Sequence, residues 1–461
     1  MKYCKSLKKW DMGLLLVCLA FYLFFPFYDG PVWCKDSMSY ATMSISREPL
    51  YPTFLWILRK LFGEEGYLMP AVLIQSVLAA YATWKLSVTV KAYKEDSRIL
   101  AVSAMLFQFA VTVLCRFVAI RGSSYIDSIM TEGLGLSLYV LFMVQLYRYL
   151  MERKNRNLTG MLVYALLLVN LRKQMMITLC IMAAAFFFYD LIKTRRIRRL
   201  FFLLGLLVAV FFAGKFNDRL YNHFVRDAWI EHSGNSMGVL CTLIYTSGEE
   251  DASLFDDSVL RSMYEDILKQ SEEQGLNISY APSGWVDLSS HYADSYDAIG
   301  YGIINPVVQG YIAENFGSDP VEAAVKYDEY CGRMTKVLLG QEKGDLLRVF
   351  AANIRKGFVN SVARVNRFLN IYAVLAYAAF LGLYIGCVRI RIKKGKSYTE
   401  PDASLTFSEI VFLGVVINSA VVGVTIFAQP RYMIYNMGLF YAALAAMLYD
   451  VVRSRLKDTR G

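Results

Sequence analysis

Few residues in this chain have both the type and the placement to do chemistry. Asp36 sits in Lys35-Asp36-Ser37-Met38-Ser39-Tyr40, about eight residues beyond an apolar run. A carboxylate at a membrane–water boundary can take a proton from a hydroxyl. It can also help hold a divalent cation such as Mg or Mn, which makes Asp36 the one metal candidate. The plain alternative is a solvated loop acid. Arg47 opens Arg47-Glu48-Pro49-Leu50-Tyr51-Pro52. That segment reads either as a helix start with an early proline or as a place for an anionic headgroup. Glu132 follows Thr131 at the head of another apolar run, where the helix dipole favours an acid. It could equally be a second catalytic carboxylate. Arg172-Lys173 interrupts an apolar stretch, and Arg431-Tyr432 follows Gln429-Pro430 before another. Such bases either snorkel to the interface or bind phosphate, Arg through two hydrogen bonds and Lys as a point charge. Tyr40, Arg121, Tyr432 and His291 complete the set as candidate substrate contacts, with Asp127 a weaker one.

Other chemistries lack their residues. No Walker sequence and no GxGxxG occurs, so nucleotide-driven pumping is unsupported. No DxD lies among the basic loops, which argues against direct use of a sugar nucleotide. The eight cysteines show no CxxC and no zinc spacing. Cys34, Cys241 and Cys331 fall in polar segments, where one disulfide or a reduced structural role are both open. The three histidines have no repeat spacing.

The elements that must carry these residues are membrane helices. The chain has 461 residues, 56% of them hydrophobic and only 19% charged, with mean hydropathy +0.37. Soluble globules average about 45–50% apolar and about 25% charged, so a soluble enzyme, a disordered chain and a fibrous protein are excluded. Spans of about 20 apolar residues are expected near 11–28, 67–90, 99–119, 129–150, 158–171, 175–192, 200–216, 367–388, 407–427 and 431–450. The fold class is therefore an all-α polytopic membrane protein with about ten transmembrane helices.

Charge orients the spans. Bases cluster at Lys2/Lys5/Lys8/Lys9, Lys91/Lys94/Arg98, Arg153/Lys154/Arg156, Arg195/Arg196/Arg198/Arg199, Arg389/Arg391/Lys393/Lys394/Lys396 and Arg453/Arg455/Lys457. An even number of spans puts all six groups in the cytoplasm together with both termini. The remaining polar segments then pool outside: 29–66, 120–128, 172–174, 217–366 and 429–431. Residues 217–348 hold 22 acids against 9 bases within a chain of net charge +10. Apolar residues at helical spacing there predict a mostly helical extracytoplasmic insert. The expected organisation is a membrane core over 1–216 (with an outer loop 29–66 of short interfacial helices), an insert over 217–366 and membrane helices over 367–461. Basic clusters beside apolar runs are loop-orientation signals, so no nucleic-acid partner is expected.

The ordered set of Asp36, Tyr40, Arg47-Glu48-Pro49-Leu50-Tyr51-Pro52, Thr131-Glu132, Leu171-Arg172-Lys173 and Pro430-Arg431-Tyr432 resembles the GT-C class of integral-membrane glycosyltransferases. Within that class it is most similar to the protein O-mannosyltransferases and the lipid A aminoarabinose transferases. The resemblance covers roughly residues 10–200 and 367–450. It implies a polyprenyl-phosphate-linked sugar as donor and transfer to an extracytoplasmic glycan, lipid or protein in the cell envelope. It also implies that Asp36 is the general base and that Arg172, Lys173, Arg431 and Arg47 hold the donor phosphate. Many members have a second acid beside the loop Asp, where this chain has Ser37. Membrane lipids are the other expected partners. The rival readings are a transporter or flippase of lipid-linked sugars and a polysaccharide polymerase or ligase.

Overall fold

In the computed structural model, the described residues are 9–117, 122–363, 367–397 and 399–458. Arg121 and the bases Lys2, Lys5 and Lys8 lie outside them. In chain order the first helices are α1 (Lys9–Asp29), α2 (Ser37–Ala41), α3 (Leu50–Gly66), α4 (Leu68–Tyr93), α5 (Arg98–Cys115), α6 (Thr131–Glu152), α7 (Asn155–Leu171), α8 (Ile177–Phe186) and α9 (Ile197–Arg226). Next come α10 (Met237–Thr246), α11 (Ser258–Glu273), α12 (Trp285–Asp297), α13 (Asn305–Phe316), α14 (Pro320–Leu338) and α15 (Lys343–Asn360). The chain closes with α16 (Arg367–Lys393), α17 (Ala403–Thr425), α18 (Pro430–Met433) and α19 (Met437–Asp458). No strand forms among the described residues; Val32 and Ser128 make one isolated parallel bridge.

Nine described helical stretches are long and apolar enough to cross a membrane. The tenth expected span, near 158–171, is α7. Its 17 residues reach about 25 Å, short of a hydrocarbon core of about 30 Å. Its ends nevertheless lie at opposite ends of the bundle. Arg153, just before it, pairs with Asp190, and Arg172, just after it, pairs with Glu132 at the start of α6. Among the described residues, α7 therefore runs from end to end beside the nine longer stretches.

The two ends differ in composition. At one, Lys91–Asp11, Lys94–Asp450, Arg153–Asp190, Lys193–Glu409 and Arg391–Asp402 tie helix ends together. This is the basic end. The opposite end carries Asp36, Glu132, Arg172 and Arg431. Between them the outward side chains form an apolar belt, including Phe24 and Phe27 of α1, Phe201, Phe202 and Phe212 of α9, and Ile371, Val374 and Leu375 of α16. Such a belt would be costly in water and is at home in lipid.

Among the described residues, two large apolar cores dominate. One runs through α4, α6, α7, α8, α9, α16, α17 and α19. In lipid, close packing rather than water exclusion joins such helices, and small residues permit it. At Gly214 of α9 a Cβ would stand 2.9 Å from Val169 of α7. The second core joins α10 to α15 and reaches Phe427. Asp257 and Asp319 accept backbone hydrogen bonds at the starts of α11 and α14, as capping side chains do. The segment 227–363 follows the far end of α9, so it packs on the Asp36 end of the bundle. No disulfide joins the described cysteines, and Cys34, Cys241 and Cys331 are buried.

Candidate functional site

A short backbone splice fixes Asp36. Val32 N donates to Asp127 O at 2.7 Å, and Ile129 N donates to Val32 O at 3.0 Å. The first outer loop is thereby fastened to the segment that leads into α6. Ser37 completes the splice. Its hydroxyl donates to Ile129 O and accepts from Cys34 N, both at 2.8 Å, and the residue is wholly buried. Gln75 of α4 braces the same segment, donating to Ile126 O at 2.8 Å and Ser128 O at 3.0 Å. Asp36 thus lies one turn of chain away from Thr131-Glu132, although 96 positions separate the two acids.

Three guanidiniums surround the two acids. Arg47 donates to Asp36 Oδ1 at 2.9 Å and Arg431 to Asp36 Oδ2 at 3.2 Å. Arg431 Nε also lies 4.0 Å from Glu132 Oε1, which Arg172 Nη1 contacts directly. Tyr40 supports Arg47 with its ring 4.6 Å from the guanidinium and its hydroxyl 3.2 Å away. Tyr432 lies under two arginines, its ring 4.7 Å from Arg172 and 4.9 Å from Arg431. Gln174 and Asn418 donate to Tyr432 O at 2.9 and 2.8 Å and hold that turn in place. Glu132 is 0% exposed, so it lies beneath the arginines, while Asp36 and Arg431 keep about a quarter of their side chains open.

The electrostatics follow from these contacts. Burial opposes ionisation of Asp36, but the charges of Arg47 and Arg431 outweigh it and hold the carboxyl below its ordinary range. Burial pushes the Tyr40 hydroxyl up to about 12, so it stays protonated while it accepts from Arg47. Behind the splice, burial pushes Asp127 up to about 7, while its Oδ1 accepts from Ser124 N at 2.8 Å.

The arrangement can hold an anion and offer one carboxylate beside it. It does not suit a divalent cation. Both Asp36 oxygens are occupied by guanidiniums, and no group of three or more His, Cys, Asp or Glu with metal-binding geometry occurs among the described residues.

Of the candidates read from sequence, Asp36, Tyr40, Arg47, Glu132, Arg172, Arg431 and Tyr432 form one cluster. Lys173 borders it: its side chain is exposed, and its backbone N donates to Glu48. His291 packs in the insert core instead, with Nδ1 2.9 Å from the Tyr245 hydroxyl, and none of its described contacts reaches the cluster. Arg121 lies outside the described residues.

Sequence reasoning passed over a second shell of residues at the rim. Asp218 of α9 accepts from both His232 N at 3.0 Å and His232 Nδ1 at 2.6 Å. The imidazole's other nitrogen faces Glu48 at 4.0 Å. Burial disfavours the charged imidazole, but Asp218 and Glu48 together raise His232 above 6.5. Arg226 donates to Met43 O, and Ser233 N donates to Ile45 O at 3.0 Å. The linker into the insert is therefore clasped to the outer loop that carries Arg47. No spacing in the sequence marks His232 and Asp218 as partners, because a 14-residue turn of chain brings them together.

No family model and no curated protein matches this chain. Among solved structures it is similar to the archaeal oligosaccharyltransferase AglB from Archaeoglobus fulgidus in complex with an inhibitory peptide and a dolichol-phosphate. The identity is 14% and the TM-score 0.42, over 98% of this chain and 51% of that one. The chain thus spans about half the length of that protein.

Proposed function

We propose that the protein is a GT-C-like glycosyltransferase that moves a sugar from a polyprenyl-phosphate donor to an extracytoplasmic acceptor with inversion. The observation that carries this reading is the set of three guanidiniums around one solvent-reachable carboxylate, Asp36, and one buried carboxylate, Glu132, at the end of a membrane bundle. Arg431, Arg172 and Arg47 hold the donor phosphate where its lipid tail remains in the bilayer. The bond between the anomeric carbon and the phosphate oxygen breaks, and its electron pair stays on the phosphate. The acceptor oxygen bonds to the opposite face of that carbon while its proton passes to Asp36. Phosphate is a good leaving group, so the clamp supplies most of the electrostatic help.

The same contacts explain how Asp36 regains basicity. Paired with two guanidiniums it is a poor base. A bound phosphate shares those cations and weakens their hold on Asp36, so the base strengthens when the donor is present. Glu132, buried under Arg172 and Arg431, keeps the clamp in register rather than meeting substrate. The charge pattern supports this reading over a transporter: a transporter places ionisable groups near the bilayer midplane, whereas the ion pairs here gather at the two ends.

Titration calorimetry with farnesyl phosphate, a short polyprenyl phosphate, tests the clamp. Losing a charged hydrogen bond of roughly 1.5–3 kcal/mol predicts that Arg431→Gln and Arg47→Gln each weaken binding by about 10- to 100-fold. Arg196→Gln at the basic end leaves binding unchanged. Equal affinity in all four proteins would remove the phosphate site from this cluster.

A further inference from the structure

The insert reaches the site through α12. Tyr296 packs against Phe427 with ring centroids 5.0 Å apart and planes inclined by 51°, and it donates to Gly238 O at 3.2 Å. Asn360 of α15 donates to Ala428 O at 2.7 Å. Both contacts grip the segment that leads straight into Arg431, so α12 is anchored at the clamp.

Beyond Asp297 the helix does not stop. It widens into a π-turn over Ala298–Ile304, a geometry frequent at functional positions. The inward side of this turn is tightly packed. A Cβ at Gly300 would stand 2.9 Å from Cys241 Sγ and 3.1 Å from Met237 Sδ. The outward side holds Asp297, Tyr301 and Gly302, all exposed. Residues four apart share a helix face, so Asp297 and Tyr301 present together. Tyr301 is 59% exposed, with a full aromatic ring in the open. The face borders the clamp: Asp297 follows Tyr296, whose ring lies 5.0 Å from that of Phe427, four residues before Arg431.

The chemistry of this face selects its occupant. Asp297 repels a second phosphate. An open aromatic ring stacks on the C–H face of a pyranose, and an adjacent carboxylate accepts hydrogen bonds from its hydroxyls. We propose that Tyr301 and Asp297 form the acceptor subsite and hold a neutral sugar with one free hydroxyl directed at Asp36. The assignment of that sugar as acceptor rests on the transferase reading above.

Saturation-transfer NMR on the full chain tests the subsite, using a detergent without a sugar headgroup. The probes are the methyl glycosides of glucose, galactose, mannose and N-acetylglucosamine. Saturation is expected at the ring C–H protons of at least one glycoside. Tyr301→Ala should reduce it at least fivefold, Tyr301→Trp should keep it, and Asp297→Asn should weaken it. A wild type that saturates none of the glycosides overturns the proposal, as does a Tyr301→Ala protein that saturates them equally. Tyr301-dependent saturation of trilysine in place of the sugars also overturns it, in favour of a peptide acceptor. Farnesyl phosphate in the same samples separates the two claims. If it binds and no sugar does, the subsite alone fails. If sugars bind through Tyr301 and it does not, the donor reading alone fails.

Discussion

At the scale of single residues, the site works by mutual neutralisation. Glu132 has no exposure to water, and Arg172 is its direct partner. Removing one member of a buried pair costs roughly 3–5 kcal/mol, because the other is left uncompensated, whereas replacing both can be nearly neutral. Arg172→Met is therefore expected to lower the unfolding temperature in detergent sharply. Glu132→Gln/Arg172→Met should recover most of the loss. A double variant no more stable than the single one would show that the charge pair is not what holds this corner. Asp36, Glu132, Arg172 and Arg431 were legible in the sequence because bases on the side where the positive-inside rule disfavours them, and acids at span ends, stand out against apolar runs. Ser37 was not. Only its bonds to Cys34 and Ile129 show that it serves the splice.

At the scale of elements, two attachments set the site's shape. The first is the clasp between the α9 linker and the outer loop. His232 is faced by Asp218 from α9, Glu48 from the outer loop and Lys173 from the turn after α7. Its folded pKa is raised, so the stability it lends is full below 6.5 and is lost as pH rises through the higher folded value. Hydrogen exchange of residues 227–236, corrected for intrinsic rate, should accelerate across that window in the wild type and show no such step in His232→Gln. Identical profiles would exclude His232 as the clasp. The second attachment is α15 on α17. A Cβ at Gly423 would stand 2.9 Å from the backbone N of Ile354, and backbone cannot swing aside. Gly423→Ala is expected to cost roughly 1–3 kcal/mol and to weaken farnesyl phosphate binding, since Asn353 and Asn360 of α15 steady residues 423–428. Gly310→Ala, which meets open space inside α13, should neither lower stability nor weaken binding. An unaltered affinity in Gly423→Ala would uncouple α15 from the clamp. Hydrophobic periodicity revealed that these helices exist. Their contacts were hidden because glycine-mediated approach leaves no pattern in a single sequence.

At the scale of the whole molecule, the fold separates two kinds of charge. Helix-tying pairs occupy the basic end, and the Asp36 cluster and acidic insert occupy the other. We propose, on the positive-inside rule, that the basic end faces the cytoplasm. Single cysteines introduced at Ser283 in the insert and at Lys394 at the basic end, on a background with the native cysteines replaced, test this in intact cells. A membrane-impermeant maleimide should label position 283 and leave 394 unlabelled until the membrane is opened; the reverse pattern would invert the topology. The nine longer described stretches and α7 were legible from hydropathy and charge, although α7 is shorter than a usual span. The placement of the insert on the site depended on side-chain contacts such as Tyr296 with Phe427, which composition does not encode.

The most direct test of the account is donor turnover. Purified wild type and Asp36→Asn would be given a panel of polyprenyl-phosphate sugars, and mass spectrometry would follow release of the polyprenyl phosphate. Loss of a general base typically costs about 10²–10⁴-fold, so release by wild type and at least a hundredfold slower release by Asp36→Asn is the expected result. Equal release by both proteins, or none by a wild type that binds the donor, would contradict it.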